Sequence, residues 1–358
     1  MKPILFTRGV PPQESIPVEK LSICAREVIS DYGADILQYA PASGYLPLRE
    51  HLAELKDITA ERVLLGQGSL QILDMLIHCL LQAGDVVAVE QPTYDRVLTL
   101  LRRAGLQIFP VDLRPDGLDL DQLETALIGG LKLRLMYVIA DFQNPSGSLM
   151  PLEQRQRLVT LSQQYRFQIV EDAPYRALRY RGEELASIYD LSPATVIQLS
   201  SFSKLISPGL RVGYAILPEN IHKILSKYAE DTYINPSYLN HAIVLRFIQK
   251  GWLAEHLDFL KDLYSYRLQI MLDALQSDLD AACTWTKPEG GFFVGVWLAG
   301  ERTLADIWER SGTAGIRLTD GRGFFVNGGE NFIRLPFCAL DEQNIRQGVQ
   351  RLAELLQQ

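Results

Sequence analysis

Three apolar runs constrain this chain more than anything else in it: Val86-Val87-Ala88-Val89, Met136-Tyr137-Val138-Ile139 and Val196-Ile197. A strand with one face in water alternates apolar and polar side chains, whereas a strand covered on both faces reads as a continuous apolar run. These runs therefore predict strands sandwiched between helices. The helices are visible beside them: Leu70, Leu73, Leu76, Ile77, Leu80 and Leu81 recur at the spacing of one helix face. Strands expected over 86–90, 107–111, 133–140 and 167–170 alternate with helices expected over 94–104, 120–127 and 152–165. That alternation predicts an α/β layer with a mostly parallel sheet.

The flanks differ. Residues 1–35 hold an extended, proline-marked arm, Gly9-Val10-Pro11-Pro12, then a helix expected over 18–32. The arm has little of its own to bury, so it is expected to lie across another part of the molecule. Beyond Leu217 the pattern turns helical, with helices expected over 219–231, 237–251 and, as one long element, 253–275. A smaller α+β segment follows, with strands expected over 292–297 and 332–335 and helices over 304–311 and 341–355. The expected division is 1–35 as an arm and helix packing with the small domain, 36–260 as a large domain, and 261–358 as a small C-terminal domain.

Composition narrows the function classes. The chain has 358 residues, 47% hydrophobic, with a formal net charge of −8. A negative chain without a basic cluster carries no electrostatic footprint for nucleic acid or a membrane surface. No run approaches the length of a membrane span, and the N-terminal apolar run is too short for a signal peptide, so a cytoplasmic protein is expected. Cys24, Cys79, Cys283 and Cys338 are scattered, without a C-x-x-C pair. The histidines show no ligand spacing, so neither a metal site nor a disulfide framework is expected.

In open α/β sheets the ligand crevice lies beyond the carboxyl ends of the strands. Four loops after expected strands carry polar residues suited to it. Gly66-Gln67-Gly68-Ser69-Leu70-Gln71 opens a helix. It reads either as a plain N-cap or as an anion site of free N–H groups at a positive helix end. Gln91-Pro92-Thr93-Tyr94 places a tyrosine at the crevice or in the core. Asp141-Phe142-Gln143-Asn144-Pro145-Ser146-Gly147 is a tight turn that also aims the Asn144 amide inward. Glu171-Asp172-Ala173-Pro174-Tyr175 ends a buried strand on acids, a costly place for a carboxylate without a cation. A protonated pyridine nitrogen is one such cation.

A fifth stretch, Ser200-Ser201-Phe202-Ser203-Lys204-Leu205-Ile206-Ser207-Pro208-Gly209-Leu210-Arg211-Val212-Gly213-Tyr214, joins two apolar runs. Lys204 reads as a solvated loop lysine or as an amine whose burial lowers its pKa and frees it as a nucleophile.

Taken in order, Gly-x-Gly-Ser, Pro-Thr-Tyr, Asn-Pro-Ser-Gly, Glu-Asp-Ala-Pro-Tyr, Ser-Phe-Ser-Lys-x-x-x-Pro-Gly-Leu-Arg-Val-Gly-Tyr and Ile-Arg-Leu-Pro-Phe span essentially the whole chain. This series resembles class I/II pyridoxal-phosphate aminotransferases of fold type I. More narrowly it is similar to the branch with 2-aminoadipate and aromatic aminotransferases and the aminotransferase-like half of MocR regulators. The resemblance implies a large domain with a mostly parallel, mixed sheet flanked by helices, plus a smaller α+β domain. It implies pyridoxal 5'-phosphate as cofactor, amino acid and 2-oxo acid substrates (2-oxoglutarate as the expected acceptor), and no metal.

The same resemblance implies roles for residues. Lys204 would hold the cofactor as an internal aldimine and shuttle the substrate proton. Asp172 would keep the pyridine nitrogen protonated, Asn144 and Tyr175 would contact the ring oxygen, and Tyr94 would stack on the ring. Gly68, Ser69, Leu70 and Gln71, with Ser201, Ser203 and Arg211, would hold the phosphate. Arg334 would clamp the substrate carboxylate beside Asn144. Tyr39 would reach the phosphate of a neighbouring subunit, implying a homodimer with shared sites. Arg8, by its place in the arm, is a candidate for an acidic substrate side chain.

Departures from the pattern are Leu70, which can offer only its backbone, and the altered Asn235-Pro236-Ser237 segment. Because the chain begins close to the arm, neither the longer N-terminal helix of the branch nor a winged-helix DNA-binding domain is expected. Transamination is the first expectation. Elimination, decarboxylation or cyclisation on the same cofactor, or a non-catalytic sensor, are the alternatives.

Overall fold

The computed structural model describes residues 3–279, 283–300 and 302–357. The continuous apolar runs become the middle of an eight-stranded sheet. In chain order the elements begin with β1 (Ile4–Phe6), α1 (Val18–Tyr32), α2 (Leu46–Glu54), β2 (Val63–Gly66), α3 (Ser69–Leu80), β3 (Val86–Gln91) and α4 (Asp95–Arg103). They continue with β4 (Gln107–Arg114), β5 (Gly117–Leu118), α5 (Leu120–Ile128), β6 (Leu133–Val138), α6 (Leu152–Tyr165), β7 (Gln168–Asp172), α7 (Ile188–Leu191), β8 (Val196–Ser201) and β9 (Gly213–Ile216). The remainder is α8 (Glu219–Tyr233), α9 (Tyr238–Gln249), α10 (Trp252–Asp278), β10 (Cys283–Trp285), β11 (Phe293–Leu298), α11 (Leu304–Thr313), β12 (Ile316–Leu318), β13 (Phe332–Pro336) and α12 (Glu342–Gln357).

The large sheet runs β2-β9-β8-β7-β6-β3-β4-β5. Neighbours from β8 through β4 pair in parallel, while β9 and β5 run against them. Alternate residues of one strand enter different cores. Val87 and Val89 pack with Leu73 and Leu76 of α3, while Ala88 joins Leu158 and Leu161 of α6 on the other face. Two-sided burial of this kind is why the runs do not alternate. The architecture is the α/β layer with a mostly parallel, mixed sheet that the sequence predicts.

A second body contains the three-stranded antiparallel sheet β10-β11-β13. The arm is not merely laid across the molecule: β1 pairs in parallel with β12, Ile4 opposite Ile316 and Phe6 opposite Leu318. Gly348 of α12 permits that approach, because a Cβ there would come within 2.5 Å of the Phe6 ring. Short strands of three residues offer too little pattern to be read from sequence, and β1, β10 and β12 are additions to the expected elements.

The helix after the arm packs chiefly on α9. Cys24 and Val28 share a core with Ala242 and Leu245 of α9. Glu27 and Asp31 bond Arg246 at 3.1 and 2.8 Å, and Glu27 bonds Lys250 at 2.9 Å. Arm and helix thus part company at residues 13–17, one held by β12 and the other by α9. We place the division between the two bodies within α10. Among the described residues no helix is long and apolar enough to cross a membrane.

Candidate active site

From β3 the chain moves outward through α4 to β4, then returns through β6 on the other side of β3 and continues to β7 and β8. The strand order reverses between β3 and β6. Loops leaving their carboxyl ends diverge there and open a crevice. A cavity of about 400 Å³ fills it. Among the described residues no cluster of three or more His, Cys, Asp or Glu is placed to hold a metal.

One corner of the cavity is built for an anion. Gly68, at φ +98°, turns β2 into α3, and Ser69 opens that helix. A Cβ on Gly213 would sit 2.5 Å from the backbone of Gly68 and Ser69, so the start of β9 can lie against this loop only as glycine. Arg211 enters from that side, donating from Nη2 to the Gln67 carbonyl at 2.9 Å and from Nη1 to Ser203 Oγ at 3.4 Å. Ser201 Oγ accepts the Ser203 N–H at 3.1 Å. Gly68, Ser69, Leu70, Ser201, Ser203 and Arg211 all line the cavity. Gln71 does not. Its Oε1 accepts the Gln67 N–H at 2.6 Å, so the side chain braces the loop.

The floor is acidic and aromatic. Asp172, at the end of β7, is 6% exposed. Tyr137 donates its hydroxyl to Asp172 Oδ2 at 2.7 Å, while Oδ1 is buried with no hydrogen-bond partner among the described residues. Burial pushes the Asp172 pKa up to about 6, against the pull of Tyr137 and Ser69. In the sequence Tyr137 reads only as part of an apolar run. The signal for it lies in the register: Tyr137 sits opposite Val170, which shares its sheet face with residue 172. Tyr94 and Tyr175 also line the cavity, both with phenol pKa values raised by burial. Tyr175 is held edge-on by Phe293, ring centroids 5.9 Å apart.

Opposite the anion corner stands Arg334 on β13, 8% exposed between the rings of Phe293 and Phe324, 4.8 and 4.5 Å from their centroids. Its Nη1 donates to Asn144 Oδ1 at 3.0 Å and its Nη2 to the Thr7 carbonyl at 2.9 Å. Nε is buried without a hydrogen-bond partner among the described residues. The arm therefore reaches the site itself. Gly9, whose carbonyl accepts from Lys204 Nζ at 3.1 Å, has no room for a Cβ beside Phe293. Burial lowers the Lys204 pKa from the ordinary lysine value, and Arg334 and Arg211 push the same way. Arg8 lies between the two arm contacts, exposed, at the cavity wall.

Tyr39 is elsewhere. It is 78% exposed beside Ile234 and Tyr238, outside the cavity of its own chain. Thr7, Gly9, Val10, Asp95, Arg96, Phe293 and Thr319 line the cavity in addition to the expected residues. Asp95 and Arg96 follow Tyr94 directly on α4, which is the signal that sequence offers for them.

The site fits pyridoxal phosphate on observations of this chain. An unpartnered carboxylate oxygen awaits a cation, a glycine-walled helix start awaits an anion, and an amine of lowered pKa lies in the same cavity.

Comparison with known proteins points the same way. A family model described as aminotransferase class I and II matches residues 3–352. A 2-aminoadipate transaminase from Thermus thermophilus is 34% identical, over 98% of this chain and 89% of that protein. Aromatic-amino-acid aminotransferase 1 from Thermococcus litoralis is also 34% identical, over 99% and 88%. Among solved structures, α-aminoadipate aminotransferase LysN from Thermus thermophilus, complexed with N-(5'-phosphopyridoxyl)-L-leucine, superposes with a TM-score of 0.94. The two are 33% identical, with 99% of this chain and 92% of that one covered.

Proposed function

Since the chain belongs to the class I and II aminotransferase family and is a pyridoxal phosphate-dependent aminotransferase, we propose that it moves the amino group of an L-amino acid to 2-oxoglutarate in the cytoplasm. The observation that carries this reading is the buried, unpartnered Asp172 Oδ1 in one cavity with Lys204 and Arg334. When bound, the cofactor supplies a protonated pyridine that draws in the electron pair left at the substrate Cα.

The residues divide the remaining work. Asp172 would pair with the pyridine nitrogen and, by staying charged against it, would keep that nitrogen protonated. Asn144 and Tyr175 would hold the ring oxygen, and Tyr94 would cover the ring. Ser69, Ser201, Ser203 and Arg211, with the first N–H groups of α3, fix the phosphate. Arg334 exchanges the Thr7 carbonyl for the substrate α-carboxylate, which a guanidinium binds with two parallel hydrogen bonds. Lys204 Nζ would leave the Gly9 carbonyl, accept the proton from the substrate Cα and pass it to the cofactor's C4′ on the same face. Its lowered pKa raises the fraction of free amine available for that work. Tyr39, exposed in one chain, supplies a phosphate contact to a second copy, in a homodimer with shared sites.

The test is optical. Single amino acids are added to the yellow holoprotein and its visible band is followed. Loss of the band, restored by 2-oxoglutarate, is the expected result. Release of ammonia with no restoration by any 2-oxo acid would overturn it in favour of elimination.

A further inference from the structure

Pairing between β3 and β6 ends at Val89 and Tyr137, while Glu90 and Gln91 still pair with Val111 and Asp112 of β4. Ile139 is therefore past the last rung that β6 shares with β3. The Glu90 side chain takes the strand's place: its Oε2 accepts the Ile139 N–H at 3.0 Å and an N–H of Gln143 Nε2 at 3.2 Å. Glu90, 2% exposed, thus plugs the split where the strand order reverses. Neither Glu90 nor Gln143 lines the cavity, so their reach into it runs through Ile139 and Asn144, which do.

Gln143 carries the link onward. Its Nε2 also donates to the Pro92 carbonyl at 2.6 Å, two residues before Tyr94. Its Oε1 accepts the N–H and the hydroxyl of Ser146 at 3.0 and 2.6 Å. Asn144 lies inside the turn that these bonds close. Arg334 already holds Asn144 Oδ1, so the amide has only Nδ2 to donate to a ring oxygen. Burial pushes the Glu90 pKa up to about 8, so near neutral pH it is an uncharged acid. In that form it holds its two N–H donors and adds no second negative charge near the Tyr137–Asp172 pair.

We propose that Glu90, acting through Gln143, is the positioning residue that sets the Asn144 amide against the ring oxygen of the bound cofactor. The inference rests on the reading of Asn144 as a contact of that oxygen.

The visible band of the holoenzyme, titrated with pH, tests it. A hydrogen bond from Asn144 favours the ionised ring oxygen and holds the pKa of the band down, by about one to two units for a bond to a charged group. Asn144→Ala is expected to raise the pKa by that amount. Glu90→Ala and Gln143→Ala, which cut the link from either side, are expected to raise it in the same direction and to add little once Asn144 is gone. Glu90→Gln keeps an acceptor oxygen of the same reach and is expected to titrate like wild type. Glu90→Ala empties a buried position; should it yield no holoprotein, Gln143→Ala carries the test. An unshifted band in the Glu90→Ala and Gln143→Ala variants, with a shifted one in Asn144→Ala, overturns the proposal and leaves the Asn144 contact standing. Additive shifts in the double variants, or a Glu90→Gln shift as large as that of Glu90→Ala, also overturn it. An unshifted band in Asn144→Ala removes the ring-oxygen contact and the proposal with it. The readout needs no turnover, so a wild type that converts no amino acid overturns the transamination reading alone.

Discussion

Two carboxylates stand at the crevice ends of adjacent strands and are treated in opposite ways. Asp141, just past β6, is 2% exposed, and Asp172, at the end of β7, is 6% exposed. Around Asp141 the protein gathers its own cations. Arg155 grips both oxygens, at 2.9 and 3.3 Å, and Arg176 adds a bond at 3.0 Å. Around Asp172 it offers hydroxyls and not cations: Tyr137 donates to Oδ2 and Ser69 pulls on the same carboxylate, while Oδ1 has no hydrogen-bond partner among the described residues. A buried charge without a counter-charge is expensive, so a fold that tolerates one is holding a place for a cation from outside. Asp141 is scaffold: it precedes Asn144 by three residues, and Arg176 adjoins Tyr175. Asp172 is the site that this scaffold serves.

Removing the site carboxylate is expected to have the largest effect. Asp172→Asn takes away the proposed partner of the ring nitrogen, a loss of roughly 3–5 kcal/mol if the whole pairing is lost. Felt fully in the transition state, that is a drop in kcat of roughly two to four powers of ten. Stopped-flow decay of the cofactor band with a good donor measures it. The apoprotein should be no less stable for the change, since a bare buried carboxylate has gone. A variant with near wild-type kcat would erase the contrast between the two aspartates.

Removing the scaffold carboxylate should do the reverse. Asp141→Ala leaves Arg155, which is fully buried, without a counter-charge. The expected cost is about 3–5 kcal/mol of stability, in apoprotein and holoprotein alike. Urea unfolding reads it. If Asp141→Ala lowered kcat while leaving both unfolding midpoints in place, Asp141 would belong to the chemistry and not to the frame.

The same contrast separates what is legible in the sequence from what is not. The covered strands and their loops are legible because two-sided burial and turn residues leave local marks. Asp172 and Lys204 stand out as charges at the ends of such strands. The Asp141 network does not, because its partners lie 14 and 35 residues away and only the fold brings them together. Arg155 does leave a trace. It falls on the buried face of α6 with Leu158, Val159 and Ser162, at helical spacing. A lone arginine on an apolar stripe asks for a buried acid. Gln71 shows a different limit: spacing places a residue on a turn but not which way its amide points. The arm is legible as extended, yet it meets Arg334 and Lys204 through backbone carbonyls, which no side-chain pattern encodes.

A smaller effect follows from the proton on Asp172. Its pKa rises from 3.8 in the unfolded chain to about 6 in the folded one, so the folded state binds the proton more tightly. Between those values the native apoprotein holds more protons than the unfolded chain, and stability falls as pH rises. The difference amounts to something on the order of 3 kcal/mol above pH 6. Urea midpoints of the apoprotein from pH 4 to 7 should therefore drop more steeply for wild type than for Asp172→Asn. Parallel slopes would mean that Asp172 is already paired without the cofactor.

The smallest effect should come from thinning the scaffold without breaking it. Arg176→Ala leaves Asp141 in its two-point contact with Arg155, and the Arg176 side chain is 19% exposed, so water replaces part of what is removed. A partly solvated ion pair of this kind contributes about 1 kcal/mol. The Asp141→Ala and Arg176→Ala variants thus differ in kind: one strands a buried charge, the other removes a redundant partner. Unfolding midpoints separate them. An Arg176→Ala loss as large as that of Asp141→Ala would show that Arg155 alone cannot satisfy the carboxylate. The scaffold would then be balanced as tightly as the site, and the lesson of the two aspartates would have to be redrawn around Arg176.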